Sequence, residues 1–168
     1  AVAARTYALH SKHTNFDLCN TVCCQVYGGY DVEHYISNQA VDATRGVVAT
    51  YGGEKARLFY FSSSGGQTEN SENVWYAAVP YLKSVADPYE SIRYWSYTFT
   101  TAELTSYMER SGKNLGQIKG VEVLQVSSAG RVLDLLIIGE RGSTVYSKDN
   151  IRNAFPTFLP SLMFTLGN

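Results

Sequence analysis

Charge of either sign is scarce in this chain. Its 168 residues hold 14 Lys and Arg against 15 Asp and Glu, a formal net charge of −1, and charged residues make up 17% of the total. A basic surface able to neutralise a phosphate backbone is therefore missing, which argues against nucleic acid as a partner. Long apolar runs are missing too. None approaches the roughly 20 residues that cross a bilayer, and no charged-then-apolar leader segment precedes the first pattern. The chain shows no internal repeat, low-complexity tract or linker. It also has no initiating Met and opens at Ala1 directly into a helical pattern, so it reads as a fragment or a processed chain with sequence ahead of it. Hydrophobic residues at 45% are enough for a packed core and too many for a disordered chain. The length fits one compact domain.

What is plentiful is tyrosine. The 13 Tyr, 7 Phe and 2 Trp amount to 13% aromatic residues, and many Tyr stand beside Gly, Ser or Asn, as in Tyr27 to Tyr30. Flat aromatic faces next to hydroxyls and amides suit a polyhydroxylated ligand such as a sugar, and equally suit Tyr half buried on sheets.

The local patterns predict a mixed α+β fold. Ala1 to Lys12 is an Ala- and Leu-rich helix. Asn15 to Gly29 is a loop leading into a short strand at Gln25 to Tyr27, and Asn38 to Arg45 is a short helix ended by Gly46. Val47 to Tyr51 and Ala56 to Phe61 flank Gly52 and Gly53 as a tight hairpin. Thr100 and Glu103 form a capping box that opens a helix to about Arg110, stopped by Ser111 and Gly112. Val121 to Ser127, Val132 to Gly139 and Ser143 to Tyr146 are three strands of a C-terminal meander. Ser147 is expected to cap a last helix through Phe155, and Leu162 to Leu166 to form a closing strand.

Two constellations carry ligand chemistry. His10, His13, Cys19, Cys23 and Cys24 lie within fifteen residues. Cys sulfur and His nitrogen in a short loop suit tetrahedral zinc. If the stretch is extended, Cys23 and Cys24 point to opposite faces, so only one of them belongs with Cys19 and His13. A Cys19 disulfide with Cys23 or Cys24, leaving an odd thiol, ordinary core thiols and a Cys–His nucleophile pair are the competing readings. The second constellation runs from Phe61 to Trp75. From Ser62 to Asn73 it has no apolar member, so it is either solvated or binds something. Gly65 and Gly66 admit a close backbone approach. Ser62, Ser63, Ser64, Gln67 and Thr68 offer hydroxyls and amides that match a sugar, with Glu69 and Glu72 the carboxylates placed nearest. The three His are far from these serines in sequence, which leaves serine-nucleophile chemistry without a base.

Several segments together resemble the SpoIID/LytB family, the stage II sporulation protein D type of peptidoglycan lytic transglycosylase. They are AVAARTYAL from Ala1, DLCNTVCCQVYGG from Asp17, AVDATRGVVATYGG from Ala40, YFSSSGGQTENSENVW from Tyr60 and VPYLKSVADPYE from Val79. A weaker match, GRVLDLLIIGERGS from Gly130 with the later LPSLMFTL, extends nearly to the C-terminus. The resemblance implies one SpoIID/LytB-like domain over residues 1–168, truncated at its N-terminal side. It implies cleavage between MurNAc and GlcNAc during sporulation engulfment, with the MurNAc hydroxymethyl oxygen attacking to leave a 1,6-anhydro end. One carboxyl can protonate the leaving oxygen and then accept the attacking proton, unlike the two-carboxylate hydrolases. In the family that Glu precedes the AARTY motif, ahead of Ala1, so no catalytic residue is assigned here and Glu69 and Glu72 are not promoted to the role.

Carried over by position, the resemblance puts Arg5 at the active cleft, with Ser62, Ser63, Gly65, Gly66, Gln67 and Thr68 along the glycan site and Tyr81 and Asp87 at its border. It also raises the case for a structural zinc held by His13, Cys19 and Cys24, with Cys23 as fourth ligand. The implied partners are peptidoglycan strands and other engulfment proteins. The implied location is extracytoplasmic, on the wall side of the membrane, with an anchor in the full-length protein. The contrasting functional class is a non-catalytic peptidoglycan-binding or amidase-enhancer module of LytB type, and a third is a zinc-stapled interaction domain.

Overall fold

A computed structural model describes residues 1–10, 13–21, 23–75, 77–155 and 159–167. They form two compact units, Ala1–Ser62 and Ser63–Asn168. The fold class is the mixed α+β one expected, with a C-terminal three-stranded meander. No described helix is long and apolar enough to cross a membrane.

In the first unit, α1 spans Val2–His10 and α2 spans Tyr35–Ala43. The expected end of the first helix at Lys12 lies outside the described residues. The second helix starts three residues earlier than its apolar spacing suggests, because the His34 ring accepts from Ile36 N–H as an N-cap. Gly46 follows it with φ of 75°. The hairpin forms as β1 (Thr50–Tyr51) and β2 (Glu54–Lys55), antiparallel across the glycine pair. It is shorter than the predicted runs, with one further bond from Ala56 N–H to Ala49 C=O. The expected strand at Gln25 to Tyr27 does not form. Tyr27 N–H turns back to Asn20 C=O within its own loop, so the segment has the bonding of a loop. Burial here is sparse: Thr6, Cys24 and Ala56 are the buried positions among the described residues of this unit.

Thr6 and its neighbour Arg5 give α1 its hold on the unit. Thr6 is fully buried; its hydroxyl donates to Val2 C=O one turn back (2.8 Å) and accepts from Ala49 N–H (3.0 Å). A buried hydroxyl with both capacities used costs little, whereas its loss strands a backbone donor.

The second unit holds the apolar core. Helix α3 spans Ser71–Trp75, α4 Thr101–Arg110 and α5 Asp149–Ala154; the sheet is β3 (Ile118–Val126), β4 (Val132–Gly139) and β5 (Gly142–Ser147) in the order β3-β4-β5, antiparallel throughout. Met108 from α4, Val132, Leu135 and Ile137 from β4, and Ile151, Ala154 and Phe155 from α5 and its end meet in one cluster with Leu115, Ile118 and Leu159. The β4 strand is central, which explains why its inward residues are the most deeply buried and why it reads as an almost unbroken apolar run. Helix α4 begins as its sequence dictates, with Thr100 Oγ1 accepting from Glu103 N–H and the Glu103 carboxylate accepting from Thr100 N–H.

Three local expectations are corrected. Ser147 does not cap α5; Lys148 takes that position with φ of 52° and no side-chain cap. Its N–H goes to Leu133 C=O (2.8 Å), which holds the residue in this unfavourable region. Leu162 to Leu166 makes no strand: Leu162 C=O accepts from Val132 N–H, but no ladder is sustained, and Leu162 and Phe164 serve as packing against the core. The polar stretch from Ser62 to Asn73 is not all loop, since α3 begins at Ser71.

Gly139 marks a close approach that needs glycine. A Cβ there would lie 2.3 Å from Leu115 O and 2.7 Å from Leu115 Cβ, whereas at Gly120 the nearest atom is Ile138 Cδ1 at 3.8 Å. Gly139→Ala should therefore destabilise by about 1–3 kcal/mol through overpacking against backbone, while Gly120→Ala should leave the denaturant midpoint nearly unchanged. Equal midpoints for the two variants would refute the close packing at Gly139.

Candidate functional site

In the first unit, the ligand atoms of His13, Cys19, Cys23 and Cys24 all lie within 4.8 Å of one another. Both adjacent cysteines take part. The divergence expected of an extended stretch does not apply, since Cys23 and Cys24 sit in a turn, and the four residues brought together are those named for zinc from the sequence. The three cysteines are free thiols, from exposed Cys23 through half-buried Cys19 to buried Cys24. His10 stands apart, its Nε2 paired with Lys55 C=O at 3.0 Å.

The loop is held around this cluster by short-range bonds. Cys24 N–H donates to Thr21 C=O (3.2 Å), and the Thr21 hydroxyl lies 3.2 Å from Cys19 Sγ and 3.4 Å from Cys23 N. His13 Nε2 lies 2.8 Å from Cys24 Sγ, its ring stacked on Phe16 at 4.3 Å. Tyr60 donates its hydroxyl to Cys24 C=O (3.3 Å), and Tyr7 meets Tyr60 edge-on at 5.5 Å. The hydroxyl and then the backbone of Thr21 hold the Cys19 thiol down at about 6, and that neighbour in turn pushes Cys23 up. Three sulfurs and an imidazole in one small volume form a donor set that suits tetrahedral zinc, and outer-shell contacts of this kind orient such ligands.

Arg5 is tied to α2 rather than free. Its Nη1 donates to Thr44 C=O (2.6 Å) and Val47 C=O (2.9 Å), and Nη2 to Val41 C=O (3.3 Å). A cation at the C-terminal end of a helix is favoured by the carbonyl dipoles gathered there.

In the second unit the serine–glycine loop is a bonded structure. Ser62, at the end of the first unit, is exposed. Ser63 donates its hydroxyl to Glu90, whose other oxygen accepts from Ser64 N–H (2.6 Å) and Gly66 N–H (3.3 Å). Buried Ser64 places its Oγ between that carboxylate and Asp87 Oδ2 (3.0 Å). Gln67 Nε2 donates to Ser84 Oγ (2.8 Å), Thr68 exchanges bonds with Val85, and Asp87 N–H donates to Gly66 C=O (2.8 Å). Gln67 and Ala86 form an antiparallel bridge. Tyr81 is half-buried on the segment that faces this loop through Leu82 to Asp87.

Gly65 owes its identity first to its backbone conformation. It has φ of 72°, and a Cβ there would meet Met163 Sδ at 2.4 Å. The close approach comes from Met163, within the same unit.

Glu69 and Glu72 have structural partners. Glu69 accepts from Asn70 N–H (2.8 Å), Asn73 Nδ2 (2.8 Å) and the Ser127 hydroxyl, and Arg131 Nε lies 3.9 Å away. Glu72 pairs with Lys83 at 2.8 Å, a bond that lowers its pKa. Glu90 was missed from the sequence altogether. Its carboxylate is the acceptor around which Ser63, Ser64 and Gly66 converge, and no spacing rule marks a lone Glu some 25 residues beyond the serines it serves.

Hydrogen bonds from Ser63, then Ser64, hold the Glu90 carboxyl at about 2 against an ordinary 4.5. A carboxyl with a depressed folded-state pKa contributes stability that is present above its unfolded value and lost as pH falls through the folded one. The wild-type denaturant midpoint should therefore drop between about pH 4.5 and 2, and Glu90→Gln should be less stable at neutral pH with a flatter profile across that window. Parallel profiles would refute this role for Glu90.

Comparison with known proteins extends the motif reading. A family model described as "Stage II sporulation protein" matches residues 1–51, and one described as a domain of unknown function matches residues 87–168. An uncharacterized protein of Brachyspira hyodysenteriae is 32% identical over 173 residues, covering 99% of this chain and 46% of its own length. The amidase enhancer of Bacillus subtilis is 39% identical over 61% of this chain and 14% of its own length. Stage II sporulation protein D of the same organism is 34% identical over 66% of this chain and 32% of its own. The chain thus spans less than half the length of each of these relatives. The AARTY and cysteine motifs fall inside the region matched as a stage II sporulation protein, and the chain belongs to the SpoIID/LytB family.

Proposed function

We propose that the 168 residues act as one SpoIID/LytB-like domain with a role at the cell wall, within a lytic transglycosylase that cleaves the MurNAc–GlcNAc bond to leave 1,6-anhydro ends during sporulation engulfment. The observation that carries this reading is the serine–glycine loop. Its backbone is fixed by Glu90, Asp87, Ser84 and Arg131, so the hydroxyls and amides of Ser63, Gln67 and Thr68 stand in set positions at the surface of a bonded frame. Ser62, Ser63, Gly65, Gly66, Gln67, Thr68, Tyr81 and Asp87 are the proposed glycan-binding residues. Arg5, in the first unit, is also proposed as a substrate-binding residue by its position in the AARTY motif. Preset polar groups suit a ligand whose recognition is by hydroxyl and acetamide bonding, since ordering costs are met before binding.

The proton donor is proposed to be a glutamate ahead of Ala1. A general acid must hold its proton near the working pH. Glu90 and Glu72 are both shifted the other way, and Glu69 is spent on four neighbours. The chain's own contribution is then binding and orientation: it aligns the glycan so that the MurNAc hydroxymethyl oxygen reaches its own anomeric carbon. The proposed location is the wall side of the membrane, with the full-length protein anchored, peptidoglycan as substrate and engulfment proteins as partners. The amidase-enhancer relative, at 39% identity, favours a second reading in which the same loop holds peptidoglycan without cutting it.

Zinc is proposed as a structural ion on His13, Cys19, Cys23 and Cys24. When bound, it supplies a cross-link; four protein donors leave no open position for substrate. The fit rests on four donor atoms within 4.8 Å in a unit that buries few apolar side chains. Purified protein should carry about one zinc per chain, and chelation should lower the melting temperature, because structural metal binding is folding free energy. No bound metal together with an unchanged melting temperature would remove zinc from the account.

The function is tested by incubating purified peptidoglycan with this chain and with the full-length protein, then identifying released muropeptides by mass spectrometry. Anhydro-muropeptides from the full-length protein alone are expected, with both proteins retaining glycan. Products from the chain alone would refute the placement of the acid. Retention without products from either would establish the binding-module reading.

A further inference from the structure

The loop from Ser63 to Thr68 is gripped by opposite charges acting on opposite polarities of its backbone. Glu90 takes the N–H groups of Ser64 and Gly66. On the other side, Arg131 Nη2 donates to Ser64 C=O (2.6 Å) and Gln67 C=O (3.3 Å), the two carbonyls that flank the glycine pair. Arg131 comes from the turn between β3 and β4, more than sixty residues away. That turn is built to present it: Ser127 Oγ accepts from Ala129 N–H and Arg131 N–H (3.2 Å each) while donating its proton to Glu69. Glu69, itself 5% exposed, lies 3.9 Å from Arg131 Nε as its ionic partner.

We propose that Arg131 is a positioning residue of the glycan site, aimed by Glu69 and opposed by Glu90; this rests on the reading of the serine–glycine loop as that site. One terminal nitrogen, Nη2, serves both carbonyls while Nε of the same plane faces Glu69, a pair of separated donors that the single ammonium of lysine cannot reproduce. Without it the Ser64–Gly65 peptide loses the partner of its carbonyl, while the neighbouring peptides keep Gly66 N–H to Glu90, Asp87 N–H to Gly66 C=O and Thr68 N–H to Val85 C=O. Those glycines have φ of 72° and 93°, a region that glycine leaves as readily as it enters. The side chains of Ser63, Gln67 and Thr68 then lose their common frame, although the apolar cluster of the unit does not include Arg131.

The test uses the full-length protein with Arg131→Lys, Arg131→Ala and Glu69→Gln. Glycan affinity, or turnover where it is present, should fall about tenfold or more in each, the loss expected when binding groups are misplaced by around an ångström. The amides of Gly65 and Gly66 should exchange faster with solvent. Guanidinium ion at millimolar, non-denaturing concentration should restore Arg131→Ala and leave Arg131→Lys unrestored, a result that a general loss of packing would not give. If Arg131→Ala fails to fold, Arg131→Lys and Glu69→Gln carry the comparison through the same exchange measurement. Unchanged amide exchange in Arg131→Lys, or unchanged glycan handling with faster exchange, overturns the inference. If wild type neither retains nor cleaves glycan, the functional reading fails by itself and the positioning of this loop by Arg131 is still decided by the exchange of Gly65 and Gly66.

Discussion

The conformation of the second unit's polar loop depends on a carboxylate and a guanidinium that are both withdrawn from solvent. Glu69 and Arg131 keep only 5% and 19% of their side-chain surface. Taking such charges out of water costs several kcal/mol per ion, and mutual attraction alone does not offset that. What offsets it is the set of further bonds. Glu69 accepts from Asn70, Asn73 and Ser127; Arg131 donates to two carbonyls. Replacing such a pair by apolar residues of the same volume is often neutral or stabilising. An apolar pair would not define where the backbone of Ser64 to Gln67 lies. The polar pair is therefore better understood as a device for conformational specificity than for stability.

The first unit solves a different problem. Its described residues bury Thr6, Cys24 and Ala56 and little else, so burial of apolar surface contributes little to its order. In its place stand polar cross-ties of long sequence separation: Arg5 to the carbonyls of Thr44 and Val47, Thr6 to Ala49, His10 to Lys55 and Tyr60 to Cys24. Units with small cores usually need a staple. The convergence of His13 with three cysteines falls in the loop that follows α1, where a tie is most useful.

The legible parts of the sequence were those where one local rule decides the outcome. Thr100 and Glu103 cap α4 from three residues apart, and β3 to β5 alternate between turn residues at Ala129-Gly130 and Arg141-Gly142. The cysteine cluster was legible as residue types. Its geometry was not, because whether Cys23 and Cys24 diverge depends on whether the chain there is extended or turned, which residue types do not decide. Ser147 has the side chain of an N-cap, yet Lys148 occupies that position because its N–H is drawn to Leu133 C=O. The loop's supports were the least legible. Glu90 and Arg131 are ordinary charged residues in sequence, and only the folded chain brings them to the N–H groups and the carbonyls of one loop. Helical or strand periodicity carries no information about such partners.

A rigid loop of hydroxyls is chemically consistent with the proposal that the acid lies elsewhere. A carboxyl that is to give up a proton to a glycosidic oxygen must be poorly solvated and poorly bonded in its ionised form. A carboxylate that is to hold a loop needs the reverse, as Glu90 shows: donors converge on the anion and depress its pKa to about 2. The two demands cannot be met by one residue in one environment. The proposed function therefore separates them, with the loop held by the ionised Glu90 and the proton carried by a group that the loop does not touch. That separation is the physical ground for leaving Glu90, and likewise the Lys83-paired Glu72, out of the proposed chemical step.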